Sequence, residues 1–579
     1  MSITPNHGDY SDRFSRNGGF MKYIVAVVLV FISFSPAKGH IRINQVGYLA
    51  DEPKRAVVGT NQNLQGQTFS IRNVSNGQVA YSGSIGSSIS GVDADTPFAF
   101  NYIVDFTPVT FRSSYRIELQ NGETSFTFRV GNDVYRNVID TLLYFLKAQR
   151  CGNTQPELHT PCHLADATNT DLDLAGGWHD AGDFIKFTKQ EAYTTYILLL
   201  SYEILRGNYG PFFSDQIGNG IADVLDEAKT GLDFLEKCYP DENTFIHRVG
   251  NMEADHSQPF RIPENDRLAE TNRPALFGFK RDPLAKYAYT MALASGIFRD
   301  TTDYASKSQT YLALAKRAYA KAKSIGSGHK DKLCLAAVEL YRTTNDDLYL
   351  AEAKKFNDQI YTSDMGNYFN NTNLAHARLA PFYPRATTKL RQSVKNFYHV
   401  SLNKLFGFPV QYVWGSLYVA LSSGTAGWHY QIVTSDQSFS ELQCRIRDYT
   451  LGMNPWGVCF ISGLGSVYPK NIHNSVALIL KRKKTLKEGT IKGAVAEGPY
   501  SRVEWEKDYR RFVPEKEDIY AEFQTSECVY HDHLNDYVTN EPCIYGTAEA
   551  ILFFSFYLKY LNSTNLEIPN SPQNTNFVR

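Results

Sequence analysis

The sequence is short of cysteine, of net charge and of long apolar runs, and each shortage excludes a class of protein. Eight cysteines in 579 residues are too few for a disulfide scaffold. Lysine and arginine number 59 against 60 aspartate and glutamate, so no field of one sign attracts nucleic acid or an anionic membrane. The most apolar segment, around Ile24–Ile32, has about a dozen apolar residues, whereas a membrane-spanning helix needs roughly 20. We expect no nucleic-acid partner and no transmembrane span in the mature chain.

What the chain does contain is enough apolar material for a large packed core. Hydrophobic residues make up 43% and charged residues 21%, which excludes a disordered or collagen-like chain. Aromatic residues are plentiful, with 36 Phe, 37 Tyr and 5 Trp. They indicate either a large aromatic core, which composition alone favours, or platforms that stack on an uncharged ring such as a sugar.

The N-terminal segment has the pattern of a secretory signal. Lys22 precedes the run Ile24–Ile32, and the small residues Ser35-Pro36-Ala37 follow it, which is the order of a basic flank, a short apolar core and a cleavage region. We expect residues 1–39 to be a leader and the rest of the chain to be secreted or periplasmic. An uncleaved anchor is the alternative. The last residues, 566–579, are polar and predict a frayed tail.

Two periodicities divide the remaining chain. Between residues 40 and 131, short apolar or alternating segments are separated by turns such as Ser75-Asn76-Gly77, and their spacing predicts a small β-sandwich. From 132 to 565 the apolar residues recur with a helical period, as in Glu191–Leu205 and Tyr545–Tyr560. Several of these helices are apolar on nearly all sides, which favours a layered or double-ring all-α domain.

The densest polar cluster is the run Gly176–Phe187, which reads GGWHDAGDFIKF. Asp180 and Asp183 lie in it beside glycines, which let the backbone approach a ligand closely. Because two neighbouring carboxylates repel, one of them must accept hydrogen bonds or share a proton. One can then hold a water molecule while the other takes its proton. The alternative is a turn in which Asp183 caps the following helix.

A second acid lies just before the last apolar helix. Glu541 closes the polar run Asp532–Pro542, and a carboxylic acid held against apolar neighbours has a raised pKa and can donate a proton near neutral pH. Two carboxylate sites far apart in sequence, without a phosphate loop or nucleotide fingerprint, suit glycoside hydrolysis. The alternative for Glu541 is an ordinary acid at a helix start.

Five motifs follow one another along the chain: His40–Leu49, Gly176–Asp183, Asp448–Pro455, Gly493–Val495 with Gly498-Pro499, and Asn540-Glu541. In this order they resemble the motifs of glycoside hydrolase family 9, and in particular its bacterial cellulases with an N-terminal immunoglobulin-like domain. The resemblance implies a mainly α fold, with an (α/α)6 barrel at 132–565 behind an immunoglobulin-like β-sandwich at 40–131. It also implies hydrolysis of β-1,4-linked glucan with inversion.

The resemblance also implies catalytic roles. Carried over by position, Asp183 is the general base that activates water, Asp180 is its partner on the same water, and Glu541 is the general acid. Because inversion needs room for that water, we predict a separation of roughly 6.5–9.5 Å between the carboxyl groups of base and acid.

Four further positions are candidate sugar contacts. His256 and His473 resemble histidines of the family's binding cleft, and Trp414 and Tyr537 are candidates for stacking on a sugar or shaping the cleft. A buried structural histidine and ordinary core packing are the respective alternatives.

The sugar-binding positions also depart from the family pattern. Asn474-Ser475 stand where the family has His-Arg, and Phe260 is the candidate platform in place of a usual tryptophan. A short oligosaccharide, or an amino-sugar polymer such as chitosan fragments, is therefore compatible with the chain. The alternative functions are an exo-acting β-glycosidase or glucosaminidase and a non-catalytic carbohydrate-binding relative.

A cysteine and histidine set suggests a metal. Cys151, Cys162, His163 and His179 have the spacing Cys-x10-Cys-His-x15-His, and two thiolates with two imidazoles suit tetrahedral zinc. The resemblance implies a structural zinc here that braces the loop holding Asp180 and Asp183, which we call the catalytic loop. A Cys151–Cys162 disulfide, which export permits, is the rival interpretation. A zinc hydrolase is disfavoured because four protein ligands leave no position for water.

A second metal is expected to be absent. The resemblance implies a calcium site at Ser327–Asp331, but Lys332 stands where the family has an acidic ligand, and its cation opposes calcium binding. Asp223, Asp226 and Glu227 are acidic neighbours whose spacing predicts a solvated helix face.

Overall fold

The computed structural model describes residues 40–561, apart from short breaks at 90–95, 207–214, 217, 258–259, 267–271, 301–304, 364 and 367. The predicted leader at 1–39 and the predicted polar tail at 566–579 lie outside the described residues. Among the helices that are described, none combines the length and the apolar character needed to cross a bilayer.

The N-terminal region is a sandwich of two β-sheets. Strands β1–β8 are His40–Arg42, Gly47–Tyr48, Arg55–Thr60, Thr68–Asn73, Val79–Ser84, Phe100–Asp105, Ser113–Leu119 and Phe128–Val130. One sheet has the order β1-β3-β6 and the other β2-β8-β7-β4-β5, in which only the β2–β8 pair is parallel. Alternate residues of β4 and β7 point inward, because successive side chains of a strand face opposite sides. This sandwich confirms the predicted immunoglobulin-like domain.

Helices make up most of the rest of the chain. Helices α1–α15 are Val138–Gln149, Thr188–Leu205, Asp223–Cys238, Met252–Ser257, Arg281–Arg299, Ala305–Ser324, Lys330–Thr344, Asp347–Asp358, Thr372–Leu379, Pro384–Leu402, Ser416–Thr434, Ser440–Thr450, Ser475–Arg482, Arg502–Asp508 and Ile544–Leu561. Strands β9–β13 are Lys186–Phe187, Ile246–Val249, Ala275–Phe277, Tyr500–Ser501 and Cys528–Val529. Short 3-10 helices lie at Pro263–Asn265, Ala380–Phe382, Arg510–Phe512, Glu515–Glu517 and Ala521–Phe523.

Six helices form a closed inner ring in which α2, α5, α7, α9, α11 and α15 contact one another in turn, and α15 returns to α2. Six outer helices cover them, with α1 on α15, α3 on α2, α6 on α5, α8 on α7, α10 on α9 and α12 on α11. Inner helices such as α11 are buried along most of their length, whereas outer helices such as α10 bury one face, as the apolar patterns of the two kinds require. The predicted (α/α)6 barrel is confirmed.

The candidate catalytic segments all lie at one end of this barrel. Each outer helix returns the chain to the same end, so the inner helices run in the same direction. The loop of Asp180 and Asp183 precedes α2, Trp414 precedes α11, and Glu541 precedes α15. Residues distant in sequence therefore meet at the N-terminal ends of the inner helices.

The sandwich docks on the barrel through a buried polar junction. Asn44 Nδ2 donates to Asp448 Oδ1 at 2.9 Å and to the Tyr135 hydroxyl at 3.1 Å. Arg447 donates to the same Asp448 oxygen at 2.9 Å and also pairs with Glu52. Two of the sequence motifs, His40–Leu49 and Asp448–Pro455, thus serve the junction between the domains.

We expect Arg447→Met to lower the free energy of unfolding by roughly 3–5 kcal/mol, because it leaves the carboxylates of Glu52 and Asp448 without their cation. Urea denaturation followed by fluorescence measures the change. Arg385→Met is the matched control, since Arg385 and Asp358 form an exposed pair worth about 1 kcal/mol or less. Equal losses in the two variants would contradict the role given to Arg447.

Candidate active site

The loop before α2 is closed by its own hydrogen bonds. The Asp180 N–H donates to the Ile185 carbonyl at 3.0 Å, and the Ile185 N–H donates to Asp183 Oδ1 at 2.8 Å. Helix α2 has Phe187 at its N-cap, so the alternative in which Asp183 caps this helix is wrong. The second oxygen of Asp183 lies 3.2 Å from His256 Nε2.

Glu541 is held directly against this loop. The Gly182 N–H donates to Glu541 Oε1 at 2.9 Å, across 359 residues of sequence. A Cβ atom at Gly182 would lie 2.5 Å from the His473 carbonyl oxygen and 2.8 Å from Glu541 Oε1, so only glycine permits this approach. Glu541 therefore does more than begin a helix, because its carboxyl group joins two distant segments.

Burial controls the charge of the acids in this site. Burial, together with Asp183 and Glu541 nearby, raises the pKa of Asp180 well above its ordinary value. Burial also raises the pKa of Glu541; His473 opposes this rise and Asp183 adds to it. The hydrogen bond to Asp183 raises the pKa of His256. Burial thus makes ionisation of Asp180 and Glu541 harder than in an exposed acid, and Asp183 lies beside them, paired with an imidazole.

Asp180 is anchored from the α2 side. Its Oδ2 accepts a hydrogen bond of 2.7 Å from Gln190 Nε2, and its carbonyl accepts one of 3.0 Å from the Ile544 N–H at the start of α15. Its Oδ1 is buried and has no hydrogen-bond partner among the described residues. That oxygen remains available to a water molecule or a substrate hydroxyl.

A connected set of aromatic side chains begins at His473, close to Glu541, and we call it the aromatic wall. Its members are Phe260, His473, Tyr537, Trp414, Tyr509 and Phe512, whose neighbouring ring centroids lie 5.3–6.2 Å apart. The side chain of Trp414 is 39% exposed. His473 Nδ1 donates to the Leu534 carbonyl at 2.7 Å, which leaves Nε2 for a ligand. The structure thus brings three predicted sugar-contact residues together, and places the fourth, His256, against Asp183.

Two residues that depart from the family pattern hold the catalytic loop. Asn474 caps α13 by accepting from the Ala477 N–H at 3.0 Å, and its Nδ2 donates to the Ala181 carbonyl at 3.2 Å. The Ser475 hydroxyl donates to the Gly182 carbonyl at 2.7 Å. An asparagine before an apolar helical run signals a helix start, but its second bond depends on the tertiary structure.

The acidic neighbours in α3 correct one expectation. Asp223 and Glu227 are buried rather than solvated, because residues four apart share the helix face that packs inward. Glu227 accepts from the indole N–H of Trp178 at 2.7 Å and pairs with Arg150 at 2.6 Å. Through these contacts, Glu227 fixes Trp178, which lies two residues before Asp180.

The predicted metal ligands converge in one buried cluster. One ligand atom from each of Cys151, Cys162, His163 and His179 lies within 4.8 Å of all the others. The two sulfur–nitrogen distances are 3.5 and 3.7 Å and the nitrogen–nitrogen distance is 3.2 Å. Ligands bound at zinc distances at tetrahedral angles would be roughly 3.3–3.8 Å apart. Cys151 and Cys162 form no disulfide, so the residues fit a metal ion.

A chain of ion pairs connects this cluster with the catalytic loop. His163 Nε2 lies 3.2 Å from Asp266, and Arg261 bridges Asp266 at 2.8 Å and Asp255 at 2.5 Å. Asp255 is the neighbour of His256, the partner of Asp183. The four candidate metal ligands are therefore linked to Asp183, the candidate base, through this series of ion pairs and through His256.

The predicted loss of calcium has a structural counterpart. Lys332 Nζ lies 3.1 Å from Asp331 Oδ2 and 3.6 Å from Asp282 Oδ1, and it donates to the Phe369 carbonyl at 3.1 Å. Carboxylate and carbonyl oxygens are the ligands that calcium uses. Here the Lys332 ammonium hydrogen-bonds Asp331 and the Phe369 carbonyl and lies near Asp282, and the absence of calcium stays a prediction.

We expect Lys332→Met to lower the free energy of unfolding by roughly 1.5–3 kcal/mol, because the half-buried Asp331 loses a charged hydrogen-bond partner. Lys330→Met is the control, since Lys330 makes no ion pair in the described part of the chain. Urea or thermal unfolding of the two variants compares their stabilities. Thermal unfolding of the unmodified protein with and without millimolar CaCl2 tests for calcium binding, and a rise in its Tm on adding calcium would contradict the predicted absence of a calcium site.

The sequence, rather than the fold alone, decides the class of this protein. The chain belongs to glycosyl hydrolase family 9, a family of glycoside hydrolases, whose sequence model matches residues 135–554. The model of the cellulase N-terminal ig-like domain matches residues 37–124. The predicted family is therefore confirmed.

Known proteins resemble the chain over most of its length. A cellodextrinase from Butyrivibrio fibrisolvens is 25% identical over 582 residues, covering 90% of this chain and 100% of that protein. A metagenome-derived family 9 endoglucanase has a TM-score of 0.74 at 23% identity and covers 90% of this chain and 99% of its own. A Zn-binding triple mutant of the family 9 endoglucanase J30 has a TM-score of 0.70 at 22% identity, with coverages of 89% and 99%.

Proposed function

We propose that the chain hydrolyses β-1,4-linked glucan or gluco-oligosaccharides with inversion at the anomeric carbon. The observation that carries this proposal is the hydrogen bond of 2.9 Å from the Gly182 N–H to Glu541, because it holds an acid beside Asp180 and Asp183. The similarity to a cellodextrinase over the whole of that protein supports short gluco-oligosaccharides as substrates.

In the proposed reaction, Glu541 donates its proton to the glycosidic oxygen as the bond from that oxygen to C1 breaks. Asp183 takes a proton from a water molecule, whose oxygen forms the new bond to C1 from the opposite face of the sugar. Asp180 positions the same water. The raised pKa of Glu541, caused first by burial, keeps its proton available near neutral pH.

The aromatic wall supports the binding half of this proposal. Sugar rings stack on exposed aromatic faces. Trp414 is exposed, and its ring centroid lies 5.7 Å from that of the half-buried Tyr537, which contacts His473. His473 contacts a sugar hydroxyl through Nε2. His256 orients Asp183 and contacts the sugar at the point of cleavage.

We expect Glu541→Gln to keep cello-oligosaccharide binding and to lower kcat on an unactivated substrate by roughly 10²–10⁴-fold, because the amide cannot donate the catalytic proton. Sugar release from cellotetraose and calorimetric binding provide the two readouts. Glu549→Gln is the matched control, since burial raises the pKa of Glu549 to about 8 and its carboxyl group is already neutral at pH 7. Full activity in Glu541→Gln would refute its role.

We also propose that Cys151, Cys162, His163 and His179 hold one structural zinc ion. The ligand spacing is that of a tetrahedral site, and burial lowers the pKa of His179 to about 4, which keeps its imidazole in the neutral form that binds metals. Four protein ligands close the site to water. The zinc therefore braces the chain next to Asp180 without entering the reaction.

Elemental analysis tests the metal. We expect about one zinc per chain in the unmodified protein and much less in His179→Gln and Cys162→Ser, because a tetrahedral site needs all four ligands. His159→Gln is the control, since that ring stacks on His179 at 5.6 Å without joining the ligand set. Unchanged zinc in His179→Gln would argue against the site. A chelator should lower the Tm before it affects the chemistry.

The proposal also includes the location of the protein outside the cytoplasm. The secretory pattern at Lys22–Ala37 supports export to the periplasm or the medium, where β-linked glucan is available as the substrate. Both the export and the cleavage of the leader stay predictions.

A further inference from the structure

We propose that the protein contains a subsite for a negatively charged sugar, formed by Lys189 and Arg248 at the ring of Phe187 together with Lys280, which follows the neighbouring strand β11. We call these four residues the basic subsite. The inference rests on the proposed hydrolysis and refines its substrate class to gluco-oligosaccharides that carry a carboxylate or a phosphate on one unit.

Strand pairing brings the subsite together. Phe187 in β9 is the register partner of Arg248 in β10, and paired residues of neighbouring strands share one face of a sheet. Lys189 Nζ lies 5.8 Å and the Arg248 guanidinium carbon 6.0 Å from the centroid of the Phe187 ring. Lys280 follows β11 of the same sheet and is exposed. Burial, followed by Lys280, Arg248 and Lys189, lowers the pKa of His247 to about 4, so all three cations lie within electrostatic range of strand β10.

The basic subsite adjoins the catalytic loop. Gln190, the residue after Lys189, donates to Asp180 Oδ2 at 2.7 Å. Lys189 Nζ also lies 5.4 Å from the ring centroid of Tyr368. Phe369 packs edge-on against Tyr368 at 5.1 Å and is 54% exposed. Cations and an exposed aromatic surface thus occur together on the Asp180 side of the loop.

The cations of the basic subsite differ from their neighbours in lacking carboxylate partners. Within the described residues no ion pair involves Lys189, Arg248 or Lys280, and Arg248 Nε is buried without a hydrogen-bond acceptor. By contrast, Lys186 and Arg273 beside the same loop both pair with Asp166, at 2.6 and 2.5 Å. Because a buried guanidinium nitrogen without an acceptor is costly, an anionic ligand is the missing partner.

The chemistry of the group selects its ligand. A guanidinium binds a carboxylate or phosphate through two parallel hydrogen bonds, and an ammonium adds a point charge. An unmodified glucose unit gains little from these charges, and the ammonium of glucosamine is repelled by them. The basic subsite therefore favours anionic oligosaccharides over the chitosan fragments that the altered sugar-binding positions also permit.

Calorimetry on Glu541→Gln tests the preference without turnover. The ligands are cellotetraose, the same oligosaccharide with one glucuronate unit, its 6-phosphate, and a chitosan tetramer. We expect at least one anionic ligand to bind about tenfold more tightly than cellotetraose, and the chitosan tetramer to bind most weakly. The gain should shrink between 50 and 500 mM NaCl as the charges are screened. A preference for glucuronate or for phosphate identifies the source of the anion, whereas no preference for either overturns the proposal.

Two variants locate the preference in the structure. Lys189→Met and Arg248→Met, each combined with Glu541→Gln, should bring the anionic and neutral affinities to within about twofold of each other. Lys355→Met is the control, because Lys355 is exposed on the outer helix α8, and it should keep the preference. Survival of the preference in both subsite variants would overturn the assignment. Failure of the unmodified protein to hydrolyse cellotetraose and its anionic forms would instead refute the proposed hydrolysis.

Discussion

One contact sets the geometry of this protein: the Gly182 N–H donates to the carboxyl group of Glu541. It depends on α2 and α15 being neighbours in the inner ring. The packing that closes the barrel therefore also places Glu541 beside Asp180 and Asp183. The loop can approach so closely only without a side chain at Gly182. Stability of the ring and function of the site therefore depend on each other.

Burial then gives these acids their chemical character. Asp180 and Glu541 are buried, and burial disfavours the ionised form of a carboxyl group, which raises the pKa of both. Asp183 has instead an imidazole partner at 3.2 Å. The surroundings thus raise the pKa of two of these acids and pair the third with an imidazole, so the site is chemically asymmetric.

The supporting contacts explain several departures from the family pattern. Asn474 and Ser475 bond the carbonyls of the catalytic loop, and Lys332 satisfies oxygens of the kind that calcium would bind. The sequence could show that the usual residues were replaced, but not which contacts the new ones make. The same limit explains the wrong expectation for Asp223 and Glu227, since an acidic helix face has the same spacing whether it meets water or Trp178 and Arg150.

The sequence by itself determined the two periodicities, the family and the candidate residues, because apolar spacing and short motifs are local properties of the chain. Only the tertiary structure decided which of these residues meet. It brought Gly182 to Glu541 and His256 to Asp183, neither of which follows from spacing, and it placed the four candidate metal ligands, whose spacing had suggested a site, in one buried cluster. It also left Lys189 and Arg248 without carboxylate partners among the described residues. Charge pairing across different elements depends on how the helices and strands pack, and no local pattern encodes it.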